Sequence, residues 1–390
     1  MKINFSNILL TVLYLLVLSF GIFNSVYALD YGSTTTLMVM FYMIVPVGLL
    51  FVLANINFFT SHKVDLAYAL VLLLYLLLRI IINIGQNFNF QIITWILLYC
   101  AGYYVGYKFN SNDKRLSKPM AYILFPYVLY LGLVSLLPAL LGGYARFNID
   151  YFFILPSLIP FVFLLEKKIY SLLAVVLMTA VSILTAKRTL VVASFLIAVL
   201  SVSFMFFRGK RRKKSTNLIT LLVSVAGVVL AIRYYGVLDD TITGGLGFNR
   251  FETINEDGGG GRTDMYLMYL NLIFNGSIGD MFFGQFTGDT TGKITGFAHN
   301  DWLLITYRYG LIAGILFLVF IIKTIVRLVK IVRDRTLGMY YSVACVAALV
   351  SLLIIGTFNC YIDTIGHTLL FLFIGMAIGK YRLLYGNNRF

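Results

Sequence analysis

Two short stretches of this chain gather residue types that can do chemistry. In "EDGGGGRTD" (256–264) four glycines, Gly258 to Gly261, precede Arg262, and apolar side chains then recur at helical spacing through Tyr266, Leu267, Tyr269, Leu270, Ile273 and Phe274. Arg262 therefore lies near a helix start, where the dipole favours anions and a guanidinium fork adds bidentate geometry for phosphate oxygens. The same residues also suit a flexible glycine linker with a salt bridge from Arg262 to Asp264 or Asp257. In "GFAHNDWLLITYRYGLIAG" (296–314) His299, Asn300 and Asp301 form the lip of an apolar run. An imidazole with a reference pKa of about 6.5 at a wet membrane boundary can accept a proton from a hydroxyl or orient it; the plainer role is that of an interfacial polar residue. Arg308, two turns deeper on the same helix, either faces the same cavity or snorkels outward. A third stretch, "LTAKRTLVV" (184–192), sets Lys187 and Arg188 in a tight turn, where they bind interfacial lipid phosphate or line a pocket.

The elements that must hold these residues are hydrophobic. The chain has 390 residues, 60% of them hydrophobic and only 12% charged, with a mean hydropathy of +0.89. That composition excludes a soluble enzyme, a secreted disulfide scaffold and a disordered regulator. Runs such as 8–28 and 339–357 are long enough, at 1.5 Å per helical residue, to cross a hydrocarbon core of roughly 30 Å. They are apolar on every face, unlike the alternating strands of about 10 residues in a transmembrane barrel. The expected fold is all-α: a polytopic integral membrane protein with about twelve transmembrane helices. The spans read as 8–28, 35–55, 64–83, 91–107, 119–139, 151–165, 169–186, 189–207, 217–235, 300–322, 338–357 and 363–380. Cys100, Cys345 and Cys360 form no CxxC and no ligand spacing, so no disulfide or zinc chemistry is assigned.

Charge placement orients the helices. With the N-terminus inside, 22 of the 31 basic residues fall in inner loops and tails, which puts both termini in the cytoplasm. The run "RGKRRKKS" (208–215) reads as a stop-transfer flank rather than a nucleic-acid patch, so the net charge of +15 implies no nucleic-acid partner. Nine cations resist the rule: Arg79, Arg146, Lys187, Arg188, Arg233, Arg250, Arg262, Lys293 and Arg308. A cation near a helix centre costs roughly 2.5–3.5 kcal/mol to insert, less at the interface, so the deeper ones call for a functional explanation with an anion as partner. Outer connections are short except for 236–299, which divides the chain into helices one to nine (1–235), an extracytoplasmic loop (236–299) and helices ten to twelve with a cytoplasmic tail (300–390). The loop holds eight of the 16 acidic residues against three basic ones, Arg250, Arg262 and Lys293. Its acidic residues are scattered, so no metal site and no cofactor are expected.

Taken together, Arg188 in "TAKRTLVV", Arg262 in "GGGGRTD" after the ninth span, and His299 in "HNDWLLITYRYGLIAG" opening the tenth, with Gly310 and Gly314 closing that motif, resemble the O-antigen polymerase and O-antigen ligase superfamily. The likeness covers most of the chain; where the family often carries tryptophan a turn after the loop arginine, this chain has Tyr266. The resemblance implies a bacterial inner-membrane glycosyltransferase that moves glycan from a polyprenyl diphosphate at the outer face, with the lipid-linked oligosaccharide, the bilayer and a chain-length regulator as partners. It implies that Arg188 and Arg262 bind the donor diphosphate and that His299 orients or deprotonates the acceptor hydroxyl. Lys187, Arg308, Arg250, Arg146, Asn300 and Asp301 are the further substrate-binding candidates. A repeat-unit polymerase is favoured; a ligase acting on lipid A core and a lipid-linked glycan transporter are the alternatives, the last without visible internal repeats.

Overall fold

In the computed structural model the described residues are 5–27, 34–83, 90–108, 122, 124–126, 128–130, 154–184, 188–207, 262–285, 300–334, 337–356 and 366–385. Among them the chain is helical and contains no strand. The helices are α1 (Phe5–Tyr27), α2 (Thr34–Ala54), α3 (Ile56–Ser61), α4 (Lys63–Ile82), α5 (Gln91–Lys108), α6 (Ile154–Phe163), α7 (Lys168–Leu184), α8 (Arg188–Phe207), α9 (Arg262–Phe274), α10 (Ile278–Phe283), α11 (Asp301–Arg333), α12 (Met339–Val350), which runs into a π-helical turn at Ser351–Ile355, and α13 (Gly366–Tyr385). Helices coincide with ten of the twelve segments read as spans. Of 119–139 only 122, 124–126 and 128–130 are described, and 217–235 lies outside the described residues. By length and composition three described helices, α4, α11 and α13, can cross a membrane.

Helix α4 shows why this surface belongs in lipid. Leu66, Leu72 and Leu76 are fully buried on one side, while Leu74, Leu78, Ile81 and Ile82 are exposed on the other. A helix apolar on both its packed and its exposed face is at home in hydrocarbon, not water.

Packing groups the helices into two units. The first contains α1 to α5, α9, α10, most of α11, and α13. Its centre is α5, buried without interruption from Ile92 to Gly106. Two reciprocal glycine pairs explain the burial. In "GYYVG" and "GMAIG", Gly102 and Gly106 of α5 face the backbone of α13 at Leu372 and Met376, while Gly375 and Gly379 of α13 face the carbonyls of Tyr99 and Tyr103. A Cβ at any of the four would overlap a backbone carbonyl, so the helices touch main chain to main chain, as small-xxx-small motifs permit. Trp95 stacks on Phe371 beside this seam, with ring centroids 5.4 Å apart.

The second unit contains α6 to α8, the end of α11, α12 and the π-helical turn. Pro160 inside α6 has no N–H to give the carbonyl of Pro156, four residues earlier. The Ser351 hydroxyl supplies the missing donor at 3.0 Å, tying the π-helical turn to α6. Between α7 and α8 the hydroxyls of Ser182 and Ser194 lie against each other, and one donates to the other while the second proton goes to a backbone carbonyl, Met178 O and Leu190 O each lying 2.6 Å from its own serine.

Candidate functional site

The site in the first unit is built on two glycines. Gly310 interrupts α11 with φ 86° and ψ 168°, a conformation that strains any residue with a Cβ. The chain folds back there: Trp302 Nε1 donates to Gly314 O at 3.2 Å, although twelve residues of straight helix would separate the two by about 18 Å. A Cβ on Gly314 would overlap the Thr306 hydroxyl, so the two arms lie against each other. The expected single span over 300–322 is therefore corrected. Residues 301–309 form a short separate arm, and 311–333, about 34 Å long, is the part able to cross a bilayer. Arg308 lies about two turns down the arm that Asp301 opens, as expected, and just before the break at Gly310.

The loop helices dock on this fold. Helix α9 opens at Arg262, with Asp264 in its first turn complementing the dipole. Tyr269 and Ile273 face inward, and the Tyr269 ring meets the Tyr307 ring edge-on at 5.3 Å. The Ser277 hydroxyl caps α10 by accepting the Asp280 N–H at 3.1 Å, and Gly284 ends α10 with φ 81°. There the backbones interlock: a Cβ on Gly284 would overlap the Arg308 carbonyl, and one on Gly310 the Phe282 carbonyl. Gln285 completes the contact, its N–H donating to Tyr307 O at 3.1 Å and its side-chain oxygen accepting from the Tyr307 hydroxyl at 3.1 Å.

One end of α4 closes the assembly. The Tyr75 hydroxyl donates to Tyr309 O at 2.9 Å, and one turn further the Arg79 guanidinium lies over the Phe283 ring, 5.6 Å from its centroid. Arg79 and Arg308 thus both adjoin the segment Phe283–Gly284. Along α9 runs a groove of about 470 Å³ lined by Asp264, Leu267, Met268, Asn271, Leu272 and Asn275.

The remaining candidate residues fall as follows. The Asn300 side-chain oxygen accepts the Leu303 N–H at 3.1 Å and so caps α11. Asp301 is buried in the first turn of the same arm. Arg188 opens α8 in the second unit. His299, Lys187, Arg146 and Arg250 lie outside the described residues, as do the side chains of Arg262 and Arg188. Among the described residues no group of three or more His, Cys, Asp or Glu is placed to hold a metal. Arg79 carries a signal in the sequence only as one of nine cations against the inside-positive trend, and no motif sets it apart from the rest.

A second polar cluster lies at the opposite end of α4. The Asp65 carboxylate, fully buried, pairs with Arg327 Nη2 of α11 at 3.3 Å and Arg382 Nε of α13 at 3.0 Å. It also accepts the Tyr103 hydroxyl of α5 at 2.7 Å. Arg327 donates further to the Asp65 carbonyl and, at 3.4 Å, to the Tyr99 hydroxyl. A carboxylate at such depth is tolerated because cations and a hydroxyl satisfy it from three other helices.

No family model matches the chain, and no curated protein matches it.

Proposed function

We propose that the protein is a membrane glycosyltransferase, an oligosaccharide repeat-unit polymerase of the O-antigen, capsule or exopolysaccharide type. It works at the outer face of a bacterial inner membrane, through which it passes about twelve times, with both termini cytoplasmic. The observation that carries the reading is the docking of α9 and α10 onto the folded-back arm of α11 and the end of α4. It joins the helix that Arg262 opens to the arm that follows His299, and it draws Arg79 and Arg308 to one segment. The sorting of helix ends supports the orientation: Asp65, Tyr103, Arg327 and Arg382 meet at the ends read as cytoplasmic, while Tyr75, Arg79 and Tyr309 meet at those read as outer.

In the reaction an acceptor hydroxyl oxygen attacks the anomeric carbon as the bond from that carbon to the phosphate oxygen breaks, which inverts the centre. The electron pair leaves with the lipid diphosphate, and the hydroxyl proton passes to His299. Arginines fixed in a low-dielectric site stabilise the charge growing on phosphate oxygens. The α9 groove, with amide and carboxylate groups beside aliphatic side chains, suits sugars, which have polar edges and apolar CH faces.

The test is to incubate the purified protein with polyprenyl-diphosphate-linked repeat units and no other acceptor, and to resolve the products by length. A ladder of longer lipid-linked chains is expected, and Arg262→Ala and His299→Ala are expected to abolish it. A folded protein giving no ladder until lipid A core is added is a ligase instead. The break at Gly310 favours one further reading, a lipid-linked glycan transporter, since transporters bind substrate at interrupted helices. Reorientation of a labelled lipid-linked glycan across proteoliposomes, without any change in its length, marks that outcome.

A further inference from the structure

We propose that Arg79 binds the diphosphate of the lipid-linked donor together with Arg308, as the contribution of α4 to the site. The proposal rests on the reading of the protein as an enzyme using a polyprenyl-diphosphate donor.

The exposed face of α4 is aliphatic up to its end, at Leu74, Leu78, Ile81 and Ile82. Arg79 interrupts that sequence but not that face. It is half-buried, and its guanidinium is turned onto Phe283, the last residue of the loop helix α10. An arginine serving only to snorkel extends along its own helix toward bulk headgroups. Arg79 instead reaches across to the element carrying the candidate site. The Phe283 ring, 5.6 Å from the guanidinium carbon, holds this cation beside the segment that packs on the Arg308 backbone.

The same neighbourhood holds Arg308 in place. Gly284 follows Phe283 and packs against the Arg308 carbonyl, and Tyr75, one turn before Arg79, donates to the carbonyl of Tyr309, next to Arg308. The backbones bearing the two arginines are thus tied on both sides by contacts that only glycine and a tyrosine hydroxyl make. A diphosphate has more anionic oxygens than one guanidinium can pair, and its charge rises as the glycosyl bond breaks. Two arginines from elements distant in sequence, both next to Phe283–Gly284, meet that requirement.

The test uses full-length protein in nanodiscs of zwitterionic lipid, with undecaprenyl diphosphate as probe. Arg79→Gln is expected to weaken binding by about tenfold or more, and Arg79→Lys by less, with thermal midpoints unchanged. In the polymerisation assay the KM for donor rises in Arg79→Gln. Modification of the wild-type protein by phenylglyoxal, read by mass spectrometry, supplies a measure that needs no variant: undecaprenyl diphosphate is expected to protect Arg79. If wild type binds the probe while Arg79→Gln binds it equally, or Arg79 is unprotected, the assignment is overturned and the donor reading stands. Equal protection by phosphatidylglycerol makes Arg79 a lipid anchor and also overturns it. If wild type binds no undecaprenyl diphosphate, the donor reading itself fails.

Discussion

In the proposed reaction His299 takes a proton in the transition state, a task worth typically 10²–10⁴ in rate. His299→Gln is therefore expected to lower kcat by about that factor while leaving donor binding intact. Activity of the wild type should fall toward acid pH as the imidazole takes up a proton and can no longer accept one, and a profile unchanged by the substitution would remove the base role. Asp65 is asked for the opposite, to remain charged and still. Asp65→Asn leaves the Arg327 and Arg382 guanidiniums without the carboxylate both bind, and breaking a buried pair costs about 3–5 kcal/mol. A large drop in thermal midpoint is expected, against a loss of about 1 kcal/mol for Tyr103→Phe, which removes one hydroxyl hydrogen bond. Asp65 was legible as the acid in the first turn of an apolar segment; its partners were not, because they lie 262 and 317 positions away and read individually as inside-positive charge.

Among the helices, the apolar runs were readable because burial and lipid select the same side chains. The break in α11 was not. "YRYGLIAG" has no proline and no Asn, Asp or Ser beside Gly310, and nothing in that pattern separates a glycine at positive φ from one inside a helix. Gly310→Ala and Gly284→Ala each meet two obstacles, a strained φ and an occupied space. Both are expected to undock α10 from the α11 arm, seen as new proteolytic cleavage in 262–285, with activity lost. Gly338→Ala shares the positive φ but has open space around it, and serves as the control with a smaller loss of stability. The glycine pairs of α5 and α13 had a sequence signal, "GYYVG" and "GMAIG", which becomes informative only once the two are seen to face each other.

For the whole molecule, the orientation has a direct check. A single cysteine at Asn275, exposed on the loop module, is expected to react with a membrane-impermeant maleimide in spheroplasts, and one at Lys63 only after permeabilisation. With Cys360 replaced by serine, the remaining native cysteines, Cys100 and Cys345, are buried and should stay silent; the reverse labelling pattern would invert the topology and remove the site from the outer face. The seam between α5 and α13 bears on how such a molecule is made. The glycine face of α5 leaves the ribosome about 270 residues before its partner, a delay on the order of tens of seconds at roughly 5–20 residues per second. During that interval the helix destined for the middle of the first unit lacks the partner that covers its glycine face. Quality-control proteases of the membrane therefore have a window in which every newborn chain resembles a damaged one, and slowing translation ahead of α13 should lower the yield of protein without altering a single residue.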